Sequence, residues 1–269
     1  MVERHHPPIR LVATDLDGTL LHTDGTVTAR TREVLTQVES LGVTVVFVTG
    51  RPVRWMDALW EHVGGHGLAI VSNGGILYDV HDRSVRMART IRVDTGLEAA
   101  GLIRDAVPGT SFAVERLDGF AKEPDFMPRI PAPPDLAVGP LEEVLDDTAV
   151  KLLARHEDHE PESFWSRVEA EVGHLLTTTW SSIGALVEMS GPGVSKASTL
   201  EMFCRDHGID RSEVVAFGDM PNDLAMLEWA GTSYAMANAH PSVLALADHR
   251  APSNEEDGVA AVLERVFEL

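Results

Sequence analysis

The sequence predicts an α/β protein: a parallel sheet with helices on both faces, built from the two ends of the chain, with an α+β segment inserted between them. Three observations predict this. Short runs of β-branched and apolar residues occur at 10–14, 43–48, 68–72 and 214–217. They lack the polar alternation of a strand with one wet face, as strands buried on both faces do. Segments with helical spacing separate them, which is the rhythm of βα units. From about residue 80 to 185 that rhythm gives way to alternating stretches such as SVRMARTIRV and LLTTTWSSIGALVEM.

Each element has its own reason. Residues 10–14 form the first strand, and TARTREVLTQVESLG the first helix. Thr28 is placed as its N-cap, Val34, Leu35, Val38 and Leu41 recur at helical spacing, and Gly42 stops it. VTVVFV at 43–48 is a strand, followed by a helix around Trp55, Leu59 and Val63 and a strand at 68–72. The middle region carries the proline-rich turn PRIPAPP, and GPG near 191 turns the chain back. SKASTLEMFCRDHG then reads as a helix with Leu200, Phe203, Cys204 and His207 on one face. EVVAF is a strand, PNDLAMLEWAG a helix and TSYAMA a strand. The expected boundaries are a core of residues 1–80 and 186–269 and an insert of residues 81–185. No internal repeat or low-complexity tract interrupts this pattern.

The formal charge of −20 argues against a general binder of nucleic acid or anionic membrane, since both need a basic footprint. An anionic substrate would need positive charge supplied locally. The chain has three lysines, Lys122, Lys151 and Lys196, and one cysteine, Cys204, so an intrachain disulfide is ruled out. The opening stretch MVERHHPPIR has no apolar signal core, and no apolar run approaches the roughly 18 residues that span a membrane. The expectation is a soluble, cytoplasmic protein; the oligomeric state is not readable from the sequence.

In open α/β sheets, ligands bind where the strands end. Asp15 and Asp17 follow the first strand, Thr49, Gly50 and Arg51 the second, and Gly218, Asp219, Asn222 and Asp223 the strand at 214–217. Ser195 and Lys196 open the preceding helix. Four converging acids without a cation would repel one another strongly. Oxygen donors without His or Cys point to a hard ion, and Mg²⁺ suits one or two carboxylates plus water and phosphate. An EF-hand does not fit, because Gly18 falls fourth from Asp15 and Thr26 occupies the twelfth position. Lys196 suits phosphate oxygens as a point charge, and Thr49 with Gly50 offers a hydroxyl and N–H groups. Such a site suits a phosphoryl group. One carboxylate can attack phosphorus and a second can shuttle the proton.

In this order DLDGTLL, VTGR, GVSK and FGDMPND resemble the four motifs of the haloacid dehalogenase (HAD) superfamily. The long insert after SNGG resembles that of the Cof-type subgroup, which carries a C2B α/β cap. The resemblance covers roughly 8–80 and 186–269, and no motif in the insert adds to it. It implies a Rossmann-like core with an inserted cap domain. Asp15 would be the nucleophile and Asp17 the general acid/base. Thr49, Gly50, Lys196 and Asn222 would hold phosphate. Mg²⁺ would lie on Asp15, Asp17 (through its backbone carbonyl) and Asp219, with Asp223 in support. An acid at Asp17 favours phosphatases and mutases over ATPases that keep their aspartyl-phosphate. Ala197, where many relatives have glycine, sits at a helix start away from the chemistry.

The implied function is Mg²⁺-dependent hydrolysis of a small phosphorylated metabolite, with a sugar phosphate foremost and flavin-precursor or pyridoxal phosphates behind it. Three alternatives share the motifs: a dedicated mannosyl-3-phosphoglycerate or sucrose-phosphate phosphatase, a phosphomannomutase-like phosphotransferase, and a non-enzymatic phosphometabolite-binding protein. Other polar residues read as structural. His156 and His159 in HEDHE lack a second ligand pair for zinc, Cys204 reads as core, and His5 and His6 as a loose terminus. Asn238 ends a strand on the site edge, where it either supports the site or caps a turn. Lys122, Arg129 and Lys151 read as solvated, with recognition of a second anionic group as the alternative.

Overall fold

A computed structural model describes residues 9–56, 60, 67–128, 136–180 and 184–269. The chain forms two compact units, one running up to Arg86 and resuming at Lys196, the other spanning Met87–Ser195.

The first unit contains one eight-stranded sheet. Its strands are β1 (Leu11–Thr14), β2 (Thr44–Val48), β3 (Leu68–Val71), β4 (Ile76–Asp79), β5 (Ser84–Ala88), β12 (Val214–Gly218), β13 (Thr232–Met236) and β14 (His249–Ala251). The order across the sheet is β14-β13-β12-β1-β2-β3-β4-β5. From β14 to β3 all neighbours run parallel, and β4 turns back antiparallel to β3. β1 is therefore central, paired to β2 on one side and β12 on the other. Leu11, Val12 and Ala13 are completely buried, which is why this strand shows no polar alternation.

Helices α1 (Ala29–Ser40), α5 (Lys196–Asp206), α6 (Leu224–Trp229), α7 (Pro241–Leu246) and α8 (Gly258–Phe267) accompany this sheet. Thr28 caps α1 by accepting from the Thr31 amide at 3.1 Å. Its hydroxyl donates to Asp257 at 2.8 Å, as does that of Thr31 at 3.0 Å, which ties the start of α1 to the start of α8. Gly42 has φ +82°, the left-handed turn that ends a helix. Leu41 departs from the expected apolar face: it is the C-cap and is 58% exposed, because the helix ends before its side chain can turn inward. His207 is likewise exposed, stacking on Phe203 with ring centroids 4.0 Å apart, while Leu200, Phe203 and Cys204 are buried as expected. Burial pushes the Cys204 thiol up to about 12. Of the expected helix around Trp55, Leu59 and Val63, Trp55 ends a 3₁₀ turn at Val53–Trp55 and Trp60 is helical, while Leu59 and Val63 lie outside the described residues.

The second unit has a six-stranded sheet in the order β10-β11-β9-β6-β7-β8. Its strands are β6 (Ser111–Arg116), β7 (Gly119–Lys122), β8 (Ala137–Val138), β9 (Ala149–Arg155), β10 (Thr177–Thr179) and β11 (Leu186–Ser190). Helices α2 (Val93–Ala106), α3 (Leu141–Val144) and α4 (Pro161–Val172) join a core with one face of it, through Ile103, Leu141, Phe164, Phe112, Leu152 and Val187. Alternation puts Ala113, Phe120, Leu153 and the Lys151–Glu188 ion pair on the other face. β11 corrects the expected boundary at 186. It pairs with β9 and β10, so the chain returns to the first unit at 196. At the other end, the first sheet extends through β4 into β5, past the expected boundary at 80. Among the described residues no helix is long and apolar enough to cross a membrane.

Thr28→Ala is expected to lower the unfolding free energy by about 1 kcal/mol, since it removes an N-cap acceptor and one donor to Asp257. Urea unfolding checks this, and activity should be unchanged because none of the bonds of Thr28 reaches the acid cluster or Lys196.

Candidate active site

The carboxyl ends of β1 and β12 deliver the acids. Asp15 follows β1 directly, its amide donating to Phe217 O on β12 at 3.0 Å. Asp219 and Asp223 follow β12, where Pro221–Asp223 forms a 3₁₀ turn before α6. Lys196, the first residue of α5, reaches this cluster from a different element. Its ammonium donates to Asp15 Oδ1 and Asp223 Oδ1, both at 2.6 Å, and all three side chains are buried. The second oxygen of Asp223 accepts from the amides of Asp219 and Met220, both at 3.1 Å. Asp219 accepts from Thr19 Oγ1 at 2.9 Å.

Carboxylate oxygens of Asp15, Asp219 and Asp223 lie within 4.8 Å of one another. Burial raises the pKa of Asp15 well above the usual carboxylate range; Lys196 opposes this, and Asp223 and Asp219 reinforce it. Burial, with Asp223 adding repulsion, pushes Asp219 up to about 7. Burial also works against the charge on Lys196, but Asp15 and Asp223 outweigh it and hold its pKa above the ordinary lysine range. Three acids face one ammonium, and the remaining charge is what a bound divalent cation would offset. The donors are oxygens only, which suits a hard ion. Asp223 has both oxygens committed, so Asp15 and Asp219 are the side chains with ligand capacity left.

Gly18 makes this packing possible. It has φ +77°, and a Cβ there would lie 2.3 Å from Asp219 Oδ2. Asn238, after β13, donates to Gly18 O at 2.7 Å and accepts from the Asn254 amide at 3.1 Å. Of the two roles the sequence left open for Asn238, support of the site turn is the one these bonds describe.

Thr49 and Gly50 end β2. Thr49 is buried, and its hydroxyl accepts from the Arg51 amide at 3.0 Å. Asn222, in the turn after β12, donates to Asn73 Oδ1 at 3.2 Å. Asn73 follows β3 and was not among the expected site residues. Arg51 was also missed as a partner: it grips the exposed Asp17 carboxylate in two bonds, at 2.7 and 2.5 Å. Asp17 thus points its carboxylate to an arginine and not into the buried acid cluster. The bond to Asp17 raises the pKa of Arg51 against its partial burial. The local signals for both residues were present, a strand-end arginine and a polar SNGG turn, but not their partners.

The remaining candidates have other partners. His156 accepts from the Asp158 amide through Nδ1 at 3.2 Å, and its Nε2 lies 3.2 Å from Pro108 O, so both ring nitrogens are engaged. Lys122 donates to backbone carbonyls of Glu123 and Pro124, and Lys151 pairs with Glu188 at 2.8 Å. Lys151 is completely buried, which corrects its reading as a solvated side chain. Arg129, His5 and His6 lie outside the described residues.

The model of the haloacid dehalogenase-like hydrolases matches residues 12–263, and the chain belongs to that family. It is a hydrolase with a Rossmann-like core, as the four motifs implied. It is 29% identical over 275 residues to the 5-amino-6-(5-phospho-D-ribitylamino)uracil phosphatase YitU of Bacillus subtilis, covering 96% of this chain and 98% of that protein. It is 29% identical over 267 residues to the pyridoxal phosphate phosphatase YbhA of Escherichia coli, covering 93% and 96%. Among solved structures, a haloacid dehalogenase-like hydrolase from Bacteroides thetaiotaomicron shares the fold with a TM-score of 0.76 at 24% identity, over 96% of this chain and 100% of that one.

Gly18→Ala is expected to displace the Asp219 carboxylate and weaken binding of a divalent cation. Thermal unfolding with and without Mg²⁺ reads this: the metal should raise the Tm of the unsubstituted protein and leave that of G18A nearly unmoved. Equal shifts would contradict the assigned role of Gly18.

Proposed function

We propose that this protein is a Mg²⁺-dependent phosphatase that hydrolyses a small phosphorylated metabolite through an aspartyl-phosphate on Asp15. The observation that carries the proposal is Lys196 bridging Asp15 and Asp223 at the ends of β1 and β12, beside Asp219. Burial this deep for three acids and a lysine is costly and suits a preorganised charge site.

In this reading Asp15 attacks phosphorus with one carboxylate oxygen, and the ester P–O bond breaks. Asp17 gives its proton to the leaving oxygen. As a carboxylate it then takes a proton from the water that attacks the aspartyl-phosphate. The P–O bond to Asp15 breaks, releasing inorganic phosphate and restoring both acids. Lys196 holds Asp15 in place and stabilises phosphoryl oxygens, while Thr49, Gly50 and Asn222 bind the same group. Mg²⁺ on Asp15, Asp219 and the backbone carbonyl of Asp17 would neutralise charge on the phosphoryl oxygens. Asp223 serves by holding Lys196. Arg51 keeps Asp17 at the strand ends and must yield it when the leaving group arrives.

The substrate class proposed is a sugar or polyol phosphate. The Bacillus subtilis relative, named for a phosphoribityl compound, supports a polyol; the Escherichia coli relative, named for pyridoxal phosphate, makes a phosphorylated vitamin the next class to test.

Asp15→Asn is expected to abolish phosphate release, because an amide is a poor nucleophile. Asp17→Asn should slow turnover by roughly 10²–10⁴-fold while orthovanadate still binds. Chelation by EDTA should stop turnover, and added Mg²⁺ should restore it. A panel of phosphorylated metabolites assayed for inorganic phosphate tests all three; turnover by D15N or in EDTA would overturn the mechanism.

A further inference from the structure

The turn after β3 makes bonds that the reaction scheme leaves without a purpose. Ser72 and Asn73 both take left-handed backbone, with φ +53° and +55°, and both are buried. Two consecutive non-glycine residues in that region persist only where the surroundings hold them. The Ser72 amide donates to Arg51 O at 2.9 Å, and three further bonds each lead to a different part of the candidate site. The Asn73 amide donates to Thr49 O at 3.1 Å. Asn73 Oδ1 accepts from Asn222 Nδ2 at 3.2 Å. Gly74 O accepts from Thr199 Oγ1 at 2.8 Å, one turn along α5 from Lys196. One four-residue turn thus touches the ends of β2 and β12 and the helix that starts with the lysine.

Asn73 has the central place. Its Oδ1 also lies where a side chain at position 50 would begin, 3.0 Å from a Cβ built on Gly50. Asn222 depends on it. With one amide hydrogen committed to Asn73, rotation about the last side-chain bond of Asn222 is locked. The other end of that amide, Oδ1, is buried and has no hydrogen-bond partner among the described residues. Oδ1, an acceptor, can be completed only by a donor, whereas the second hydrogen of Nδ2 is the group left to donate to a phosphoryl oxygen.

We propose that Asn73 is a positioning residue for phosphoryl transfer: its amide locks the orientation of Asn222, and its backbone fixes Thr49 in the same register. This rests on the phosphatase reading above and adds to it a residue outside the four motifs. The chemistry recognised is the phosphoryl group itself, so the effect is the same for every substrate.

The test separates side chain from backbone. Asn73→Gly keeps the left-handed turn, since glycine adopts it freely, and keeps the amide bond to Thr49. It removes the side-chain link to Asn222. The cycle N73G, N222A and the double variant is assayed with p-nitrophenyl phosphate and Mg²⁺, with Tm recorded for each. N73G should lower kcat/KM about tenfold, the scale of one lost hydrogen bond. N222A should do at least as much, and the double variant should match N222A alone, because Asn73 acts through Asn222. Losses that multiply, or a lowered Tm with unchanged kcat/KM, would overturn the role of Asn73 and leave the phosphatase reading standing. Absence of turnover in the unsubstituted protein would overturn that reading, and this inference with it.

Discussion

The structure of the site depends on one buried ammonium. Lys196 lies between Asp15 and Asp223, two acids more than 200 residues apart in the chain, and bonds to both at 2.6 Å. Removing either acid would leave an uncompensated charge inside the protein, a loss on the order of 3–5 kcal/mol. The same bonds fix geometry. Asp223 is pinned from its other oxygen by two amides of its own turn, so the lysine is held from a rigid point and Asp15 is held by the lysine. The carboxylate assigned to attack is therefore immobile before any substrate arrives, which is how such sites avoid reorganisation during reaction.

The sheet order explains why this pairing is available. β1 runs between β2 and β12, in register with both, so its last residue faces strand ends from the two halves of the chain. Polar groups there can be satisfied by turns and helix starts, whereas the strand interiors leave no room for them. Gly18 and Gly218 follow from the same crowding. A Cβ on either would meet an acid, Asp219 at 2.3 Å or Asp223 at 2.6 Å. Glycine is required at these positions by space, and at Gly18 by its positive φ as well.

Much of this was legible in the sequence because the chemistry is concentrated in contiguous stretches at strand ends. Asp15, Asp219, Asp223 and Lys196 could be grouped from strand order alone. What could not be read is who bonds to whom across the chain. Asn73 meets Asn222 across 149 positions and Asn238 meets Gly18 across 220, and no local pattern encodes either distance. Arg51 was visible in its motif, yet its pair of hydrogen bonds to Asp17 depends on the spacing of adjacent strands. The boundary misplaced at 186 has a similar cause: the alternation of β11 looks the same whichever sheet receives it. Leu41 shows the limit of periodicity, since spacing continues past the residue where the helix stops.

Helix α5 has one more property. The chain's one thiol, Cys204, sits on the buried side of the same helix that begins with Lys196, and burial pushes its pKa far above that of a free thiol. Oxidants and alkylating reagents need both the thiolate and access to the sulfur, so burial and the raised pKa slow them together. Disulfide exchange and maleimide addition at this thiol are disfavoured on both counts. A cysteine introduced at an exposed position would therefore be labelled in preference to Cys204.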